Sequence, residues 1–446
     1  MTHHQCKAIK ESETNKTHIG VIPSDWKAIT LDSVVDFIKK PKGLNINNYS
    51  QVPFISMEQI PDNKVANERF DLKEPETIKS GTYFEKGDLL LARITPSFEN
   101  GKQCIAKEIP LNFGYATTEV FPLRGKRGLD TKFLFYLLKS KEIRNIIAQK
   151  MEGTTGRQRV PKKVLEATII PLPQLDEQRK ISYILSTIQQ AIEATEKVIT
   201  AAQELKKSLM QHLFTYGPVS VEEADQVPLK ETEEGLVPEH WGEGRIHDLI
   251  KQAYSGGTPS TKKPEYWNGN INWTTSAYLE GLYLTDTPKK ITEVGLKESS
   301  SKVVPKDNLL IGTRVGVGKV AINKIDVAIS QDLTGLIVDN DKIDLEFLAH
   351  MLLKDEIQNR FSSQTRGTTI KGIPKKDVLQ IPVCIPPLRE QQGIKHSLLL
   401  IDKKIYMEYN IKNVLHSLFN SMLHHLMTGK LRVKDLDINI PEEAVQ

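Results

Sequence analysis

The sequence predicts an α+β protein: a tandem duplication of a mixed α/β globule plus a long helix, with the two long helices pairing as an antiparallel coiled coil. Three observations predict it. Segments recur in one order, most of them at an offset of 213 to 215 residues, as from Gly20 to Gly235 and from Ile181 to Ile394. The first part of each copy mixes short apolar runs with turn residues. Each copy then ends in a long stretch whose apolar residues recur at steps of three and four.

A chain of 446 residues exceeds one ordinary domain. Lys and Arg number 60 against 56 Asp and Glu, a net charge of +4, and 39% of residues are hydrophobic. That balance is globular and excludes both a polybasic DNA-coating chain and an acidic disordered one. Three scattered cysteines, Cys6, Cys104 and Cys384, argue against a disulfide framework or a Cys-x-x-Cys zinc site and fit a reducing compartment. No apolar run reaches the about 18–20 residues of a membrane helix, and the polar stretch Met1 to Thr17 lacks a secretory core. The expected location is the cytoplasm, with no membrane partner.

The repeated segments justify the elements in order. Gly20-Val21-Ile22-Pro23-Ser24-Asp25-Trp26 returns as Gly235-Leu236-Val237-Pro238-Glu239-His240-Trp241. The apolar strand Leu89 to Ala92, leading to Arg93, returns loosely as Leu309 to Gly312, leading to Arg314. Phe133 to Gln149 and Phe347 to Gln358 read as amphipathic helices. Gly153-Thr154-Thr155, followed by Val160-Pro161-Lys162-Lys163, returns as Gly367-Thr368-Thr369, followed by Ile373-Pro374-Lys375-Lys376. Pro173-Gln174-Leu175-Asp176-Glu177-Gln178 returns as Pro386-Pro387-Leu388-Arg389-Glu390-Gln391.

The first long helix is expected over 176–216, bounded by Pro173 and Gly217-Pro218, and would span about 60 Å at about 1.5 Å per residue. Its interface stripe reads Ile181, Leu185, Ile188, Ile192, Ile199, Leu205, Leu209 and Leu213. The second repeats it at Ile394, Leu398, Ile401, Ile405, Leu415, Leu418, Met422 and Leu426, with Gly429 as its stop. So narrow a stripe needs a partner, and the matching helices suit each other; separate packing of each on its own globule is the alternative. The resulting division is a polar segment 1–18, a globule 19–172, a helix 173–217, a linker 218–234, a second globule 235–385, a helix 386–431 and a tail 432–446.

Catalytic patterns are missing. Gly312 to Lys319 has the wrong spacing for a phosphate loop and puts Val320 where a magnesium-binding hydroxyl belongs. Glu204-Leu205-Lys206 has a nuclease-like spacing but lies mid-helix, and His424-His425 lacks ligand company. The chain is therefore expected not to be an enzyme, with no catalytic residues, metal site or cofactor of its own.

Local charge is more informative. Lys150 to Lys163 holds five cations against the single acid Glu152, and its duplicate, Ser363 to Lys376, holds four cations and no acid. The helix 176–216 balances five of each sign. Basic loops at matching places in two globules suit nucleic-acid phosphates. The loops after each copy's first strand differ: Lys39 to Asn48 in one and Tyr254 to Lys263 in the other. One frame with two loop sets would read two short sequences, an asymmetric target. The alternative is a structural adaptor whose rod joins two protein-binding globules.

Nearly the whole chain, 19–431, resembles the specificity subunit of type I restriction–modification systems. The resemblance rests on Ser255-Gly256-Gly257-Thr258-Pro259-Ser260 with Ile271-Asn272-Trp273, on the paired Pro-x-Leu-x-Glu-Gln motifs, and on Thr428-Gly429-Lys430-Leu431. The first copy lacks the Gly-Gly-Thr-Pro turn. The resemblance implies two target recognition domains, helices acting as spacer and subunit dock, and a bipartite double-stranded DNA target. It also implies a pair of methyltransferase (modification) subunits and restriction/translocase subunits as partners, with S-adenosylmethionine, ATP and Mg held there. By role, the first reader would use Lys40, Lys42, Asn45, Ser56, Arg93, Thr95, Thr154, Thr155, Arg157 and Arg159. The second would use Thr258, Ser260, Lys262, Thr274, Ser276, Arg314, Arg366, Thr368, Thr369 and Lys371. Arg93 and Arg314 have strand-end salt bridges as an alternative, and Trp26, Trp241 and Trp273 read as core.

Overall fold

A computed structural model describes residues 14–17, 20–62, 64–367 and 371–441. It forms two compact units, Met1–Lys197 with Tyr409–Gln446, and Val198–Glu408, so each takes half of each long helix.

In the first unit, Thr14–Thr17 and Gly20–Pro23 form an antiparallel hairpin. One four-stranded sheet runs Asp71–Lys73, Val52–Ile55, Phe113–Ala116, Thr82–Glu85, its middle pair parallel. The other, antiparallel, runs Val35–Phe37, Val120–Gly125, Leu89–Ala92, Gln103–Ile105. The fully buried strand Leu89–Ala92 explains its unbroken apolar run. Lys27–Thr30 pairs with Ile169–Leu172, closing the globule just before the long helix.

The second unit repeats this frame. Its hairpin is Leu229–Thr232 with Gly235–Pro238, so part of the stretch expected as a linker is a strand. A five-stranded sheet centres on Leu333–Val338 and Asn308–Gly312, a four-stranded one on Trp267–Thr274 and Val327–Ile329, and Gly242–Arg245 pairs with Pro382–Ile385.

Each expected amphipathic helix is two helices. Thr131–Lys139 and Lys141–Ala148 break at Ser140, whose backbone is extended and whose hydroxyl donates to the Leu137 carbonyl at 2.7 Å. Leu345–Leu352 and Asp355–Ser363 break the same way at Lys354.

The long helices cover Leu175–Tyr216 and Leu388–Met427. Gly217 (φ +82°) and Gly429 (φ +69°) end them in the left-handed conformation that glycine adopts without strain. In the first unit, Ile181, Leu185 and Ile192 share a core with Phe419, Leu423 and Leu426, with Ile188, Leu415 and Met422 packed against it. Glu196 meets Lys412 at 3.0 Å, while Lys180 donates to the Lys434 carbonyl beyond the other helix's end, so the segments run antiparallel. In the second unit, Leu213 shares a core with Ile394 and Leu398, Leu209 packs on its margin, and Ile199 is buried. Ile401 and Ile405 are half-buried.

Two interface expectations are corrected. Leu205 is 59% exposed and Leu418 45% exposed. The heptad continues through Ala202, Lys206 and Leu209 in one helix and through Leu415, Phe419 and Met422 in the other. Leu205 and Leu418 each lie one residue off, about 100° around the helix. Lys206 holds its place by reaching Asp402, and Phe419, 4% exposed, fills the other.

Candidate nucleic-acid interface

The repeated motifs turn out to be the frame of the site. Glu177 accepts the Trp26 indole N–H at 2.9 Å, and Glu390 accepts that of Trp241 at 2.9 Å. Gln178 accepts the backbone N–H of Asp130 at 2.9 Å and donates to the carbonyls of Gly128 and Pro173. Asp130 in turn caps the helix that starts at Thr131. Gln391 repeats the clamp on Asp344, which caps the helix from Leu345. The Glu-Gln pair thus fixes each long helix to its globule, and Trp26 and Trp241 are core.

On the first unit's frame, two predicted groups come together. The backbone N–H of Thr95 donates to the Gln158 carbonyl at 2.9 Å, and that of Val160 donates to the Arg93 carbonyl at 2.8 Å. Paired bonds between Glu152 and Arg159 close a loop carrying Thr154, Thr155 and Arg157, all exposed. Arg159 is less free than expected: its guanidinium binds both carboxylate oxygens of Glu119, at 2.6–3.1 Å. Those bonds hold the Glu119 carboxyl below its ordinary range. Thr95 donates its hydroxyl to Glu99, and Ser56 is half-buried.

Arg93 lies over the Phe121 ring, 4.7 Å from its centroid, and Phe121 meets Phe37 edge-on at 5.7 Å. Lys162 lies over Phe37 at 4.5 Å. Sequence reasoning missed this aromatic seat, because nothing in the pattern marks contacts between residues so far apart. Lys40, Lys42 and Asn45 are exposed on the loop that follows Phe37, and Leu44, Ile46 and Tyr49 anchor that loop against Phe113 and its neighbours.

The second unit builds its corresponding loop differently. A Cβ on Gly256 would collide with the carbonyl oxygens of Ser330 and Ile329, and one on Gly257 with the backbone of Ser300. The Gly-Gly pair is therefore required by close backbone approach. Trp273 donates to the Gly257 carbonyl at 3.3 Å and packs edge-on against Trp267. Thr258, Ser260 and Lys262 are exposed on this turn.

Thr274 and Ser276 are corrections, since both are fully buried. Thr274 donates its hydroxyl to the Thr275 carbonyl, and Ser276 is bound by Asp332, which also takes Ser330. They brace the loop from inside. Arg314 is exposed beside Gly372, whose neighbour Ile373 donates to the Thr313 carbonyl at 2.8 Å. Because Val160 makes that bond to Arg93, the true counterpart of Arg93 is Thr313, one residue from the expected Arg314. Arg366 pairs with Asp377 at 2.8 Å and Lys371 is exposed; Thr368 and Thr369 fall outside the described residues. Lys319 donates to the Ser276 carbonyl, fixing the glycine-rich turn as a structural hairpin.

Among the described residues, no helix is long and apolar enough to cross a membrane.

A family model described as the type I restriction modification DNA specificity domain matches the chain twice, at residues 23–204 and 238–417. The type I restriction enzyme MjaVIII specificity subunit of Methanocaldococcus jannaschii is 26% identical over 444 residues, covering 96% of this chain and 98% of that protein. The EcoAI specificity subunit of Escherichia coli is 29% identical over 195 residues, 42% of this chain and 33% of its own. A crystal structure of the type I restriction-modification system S subunit from M. genitalium shares the fold, with a TM-score of 0.56 at 16% identity, covering 90% of this chain and 96% of that one.

Proposed function

The chain belongs to the type I restriction–modification DNA specificity family, and we propose that it gives such a complex its DNA sequence specificity. Each unit's globule reads one half of an asymmetric bipartite target in double-stranded DNA, and the long helices set the unspecified spacer between the halves. The chain itself is non-catalytic and holds no cofactor. It brings a pair of methyltransferase subunits, using S-adenosylmethionine, and restriction/translocase subunits, using ATP and Mg, to the target in the cytoplasm.

One observation carries this reading: a single frame, with the same Glu–Trp and Gln–Asp clamps, is built twice and bears unlike loops. Duplicating a frame while varying its loops suits two different readouts. Exposed cations on matching loops suit the phosphates beside each reader.

The test has two arms. Binding of the purified chain with its modification subunits to target duplex should weaken steeply with salt, as phosphate contacts require. Deleting the gene should remove one bipartite methylated motif from the host genome. Salt-independent binding together with an unchanged methylation pattern would instead favour a protein adaptor.

A further inference from the structure

Arg93 and Arg159 both lie near one carboxylate, Glu119, and only Arg159 binds it. Among the described residues, the Arg93 guanidinium meets no acceptor, and its Nε is buried without a partner. A buried donor left unpaired is costly and uncommon in a settled structure. Yet Arg93 is firmly held. Its backbone N–H donates to the Glu119 carbonyl at 2.9 Å, its carbonyl accepts from Val160, and its guanidinium rests on Phe121, itself braced by Phe37.

Resting on the specificity reading above, we propose that Arg93 is a base-reading residue of the first recognition domain and that it reads guanine. A stacked guanidinium presents its N–H groups at the edge of its plane, as a fork of two donors. Guanine alone offers two adjacent acceptors, O6 and N7, in the major groove. Arg157, Lys40 and Lys42 are exposed and suit phosphates, for which a mobile cation suffices. Arg93 has already given up side-chain freedom on its aromatic seat, which favours a contact depending on orientation. Thr313 occupies its place in the second unit, so the assignment concerns one half-site only.

The experiment uses the full chain with its modification subunits. Once the wild-type motif is mapped from methylated host DNA, duplexes carry 7-deazaguanine, which lacks the N7 acceptor, at each guanine in turn. Wild type should lose about 10-fold in affinity at one guanine of one half-site. Arg93→Met, which removes the donor fork but keeps an unbranched apolar stem over Phe121, should bind that duplex and the unmodified one equally, and should still discriminate in the other half. Phe121→Leu, which removes the seat but keeps Arg93, should shrink the penalty at the same guanine. The proposal is overturned if neither half-site contains a guanine with this penalty, or if the penalty survives both substitutions. A uniform weakening on all sequences would also overturn it, making Arg93 a phosphate contact. If wild type prefers no sequence at all, the failure lies with the specificity reading.

Discussion

Lys206 Nζ lies 2.6 Å from Asp402 Oδ1, and the other oxygen of Asp402 accepts from His350 Nε2 at 2.8 Å. His350 is fully buried, and its Nδ1 faces the Glu346 carbonyl at 2.7 Å, so both ring nitrogens meet acceptors. Burial pushes the Asp402 carboxyl up, but the bonds from His350 and Lys206 outweigh it and keep it below its ordinary value. Asp402→Leu leaves the Lys206 ammonium and the buried His350 ring without their shared acceptor and should destabilise the chain by about 3 kcal/mol. Replacing all three residues with leucine should restore most of that, as read by denaturant unfolding.

The corrected register makes a sharp contrast. Phe419→Ala opens a cavity in the first unit's core and should lower stability by about 3–4 kcal/mol. Leu418→Glu and Leu205→Glu lie on exposed positions and should change the stability of the isolated chain by no more than about 0.5 kcal/mol. Equal losses at 418 and 419 would return the seam to the simpler reading.

Asp25 binds Arg432 through both oxygens, at 2.8 and 2.7 Å, and its carboxyl is lowered to about 2 by that bond and by Lys434. Its folded value is below the ordinary 3.8, so its contribution is present above that pH and lost as pH falls through about 2. Asp25→Asn should therefore melt below wild type at pH 5 and 7, and the two curves should converge near pH 2.

Gln178 and Gln391 are buried clamps in equivalent places. Gln178→Ala leaves the Asp130 N–H and two carbonyls unpaired and should cost about 2 kcal/mol. Gln391→Ala should do the same, and amide exchange should rise first around the helix start of the mutated unit alone. A spread across both units would contradict the two clamps acting locally.

Duplication and the long helices were legible because they are periodic: repeated strings and a heptad survive without any knowledge of contacts. Register within the heptad was only partly legible, because Lys206 holds a seam position through its ion pair with Asp402, which a hydrophobic count skips. Exposed candidates such as Lys40, Arg157 and Lys262 could be named from charge and turn residues. Thr274 and Ser276 could not be sorted from them, since their burial depends on Ser330 and Asp332, brought close only by the sheet. The seat of Arg93 on Phe121 is hidden for the same reason.

Two readers on one repeated frame is the central claim, and exchange of a single reader tests it most directly. Residues 19–172 would be replaced by the first recognition domain of a relative with a different target, and the methylated motif sequenced in the host. The account predicts that one half of the motif changes while the other half stays as it was. A change in both halves, or in neither, would contradict it.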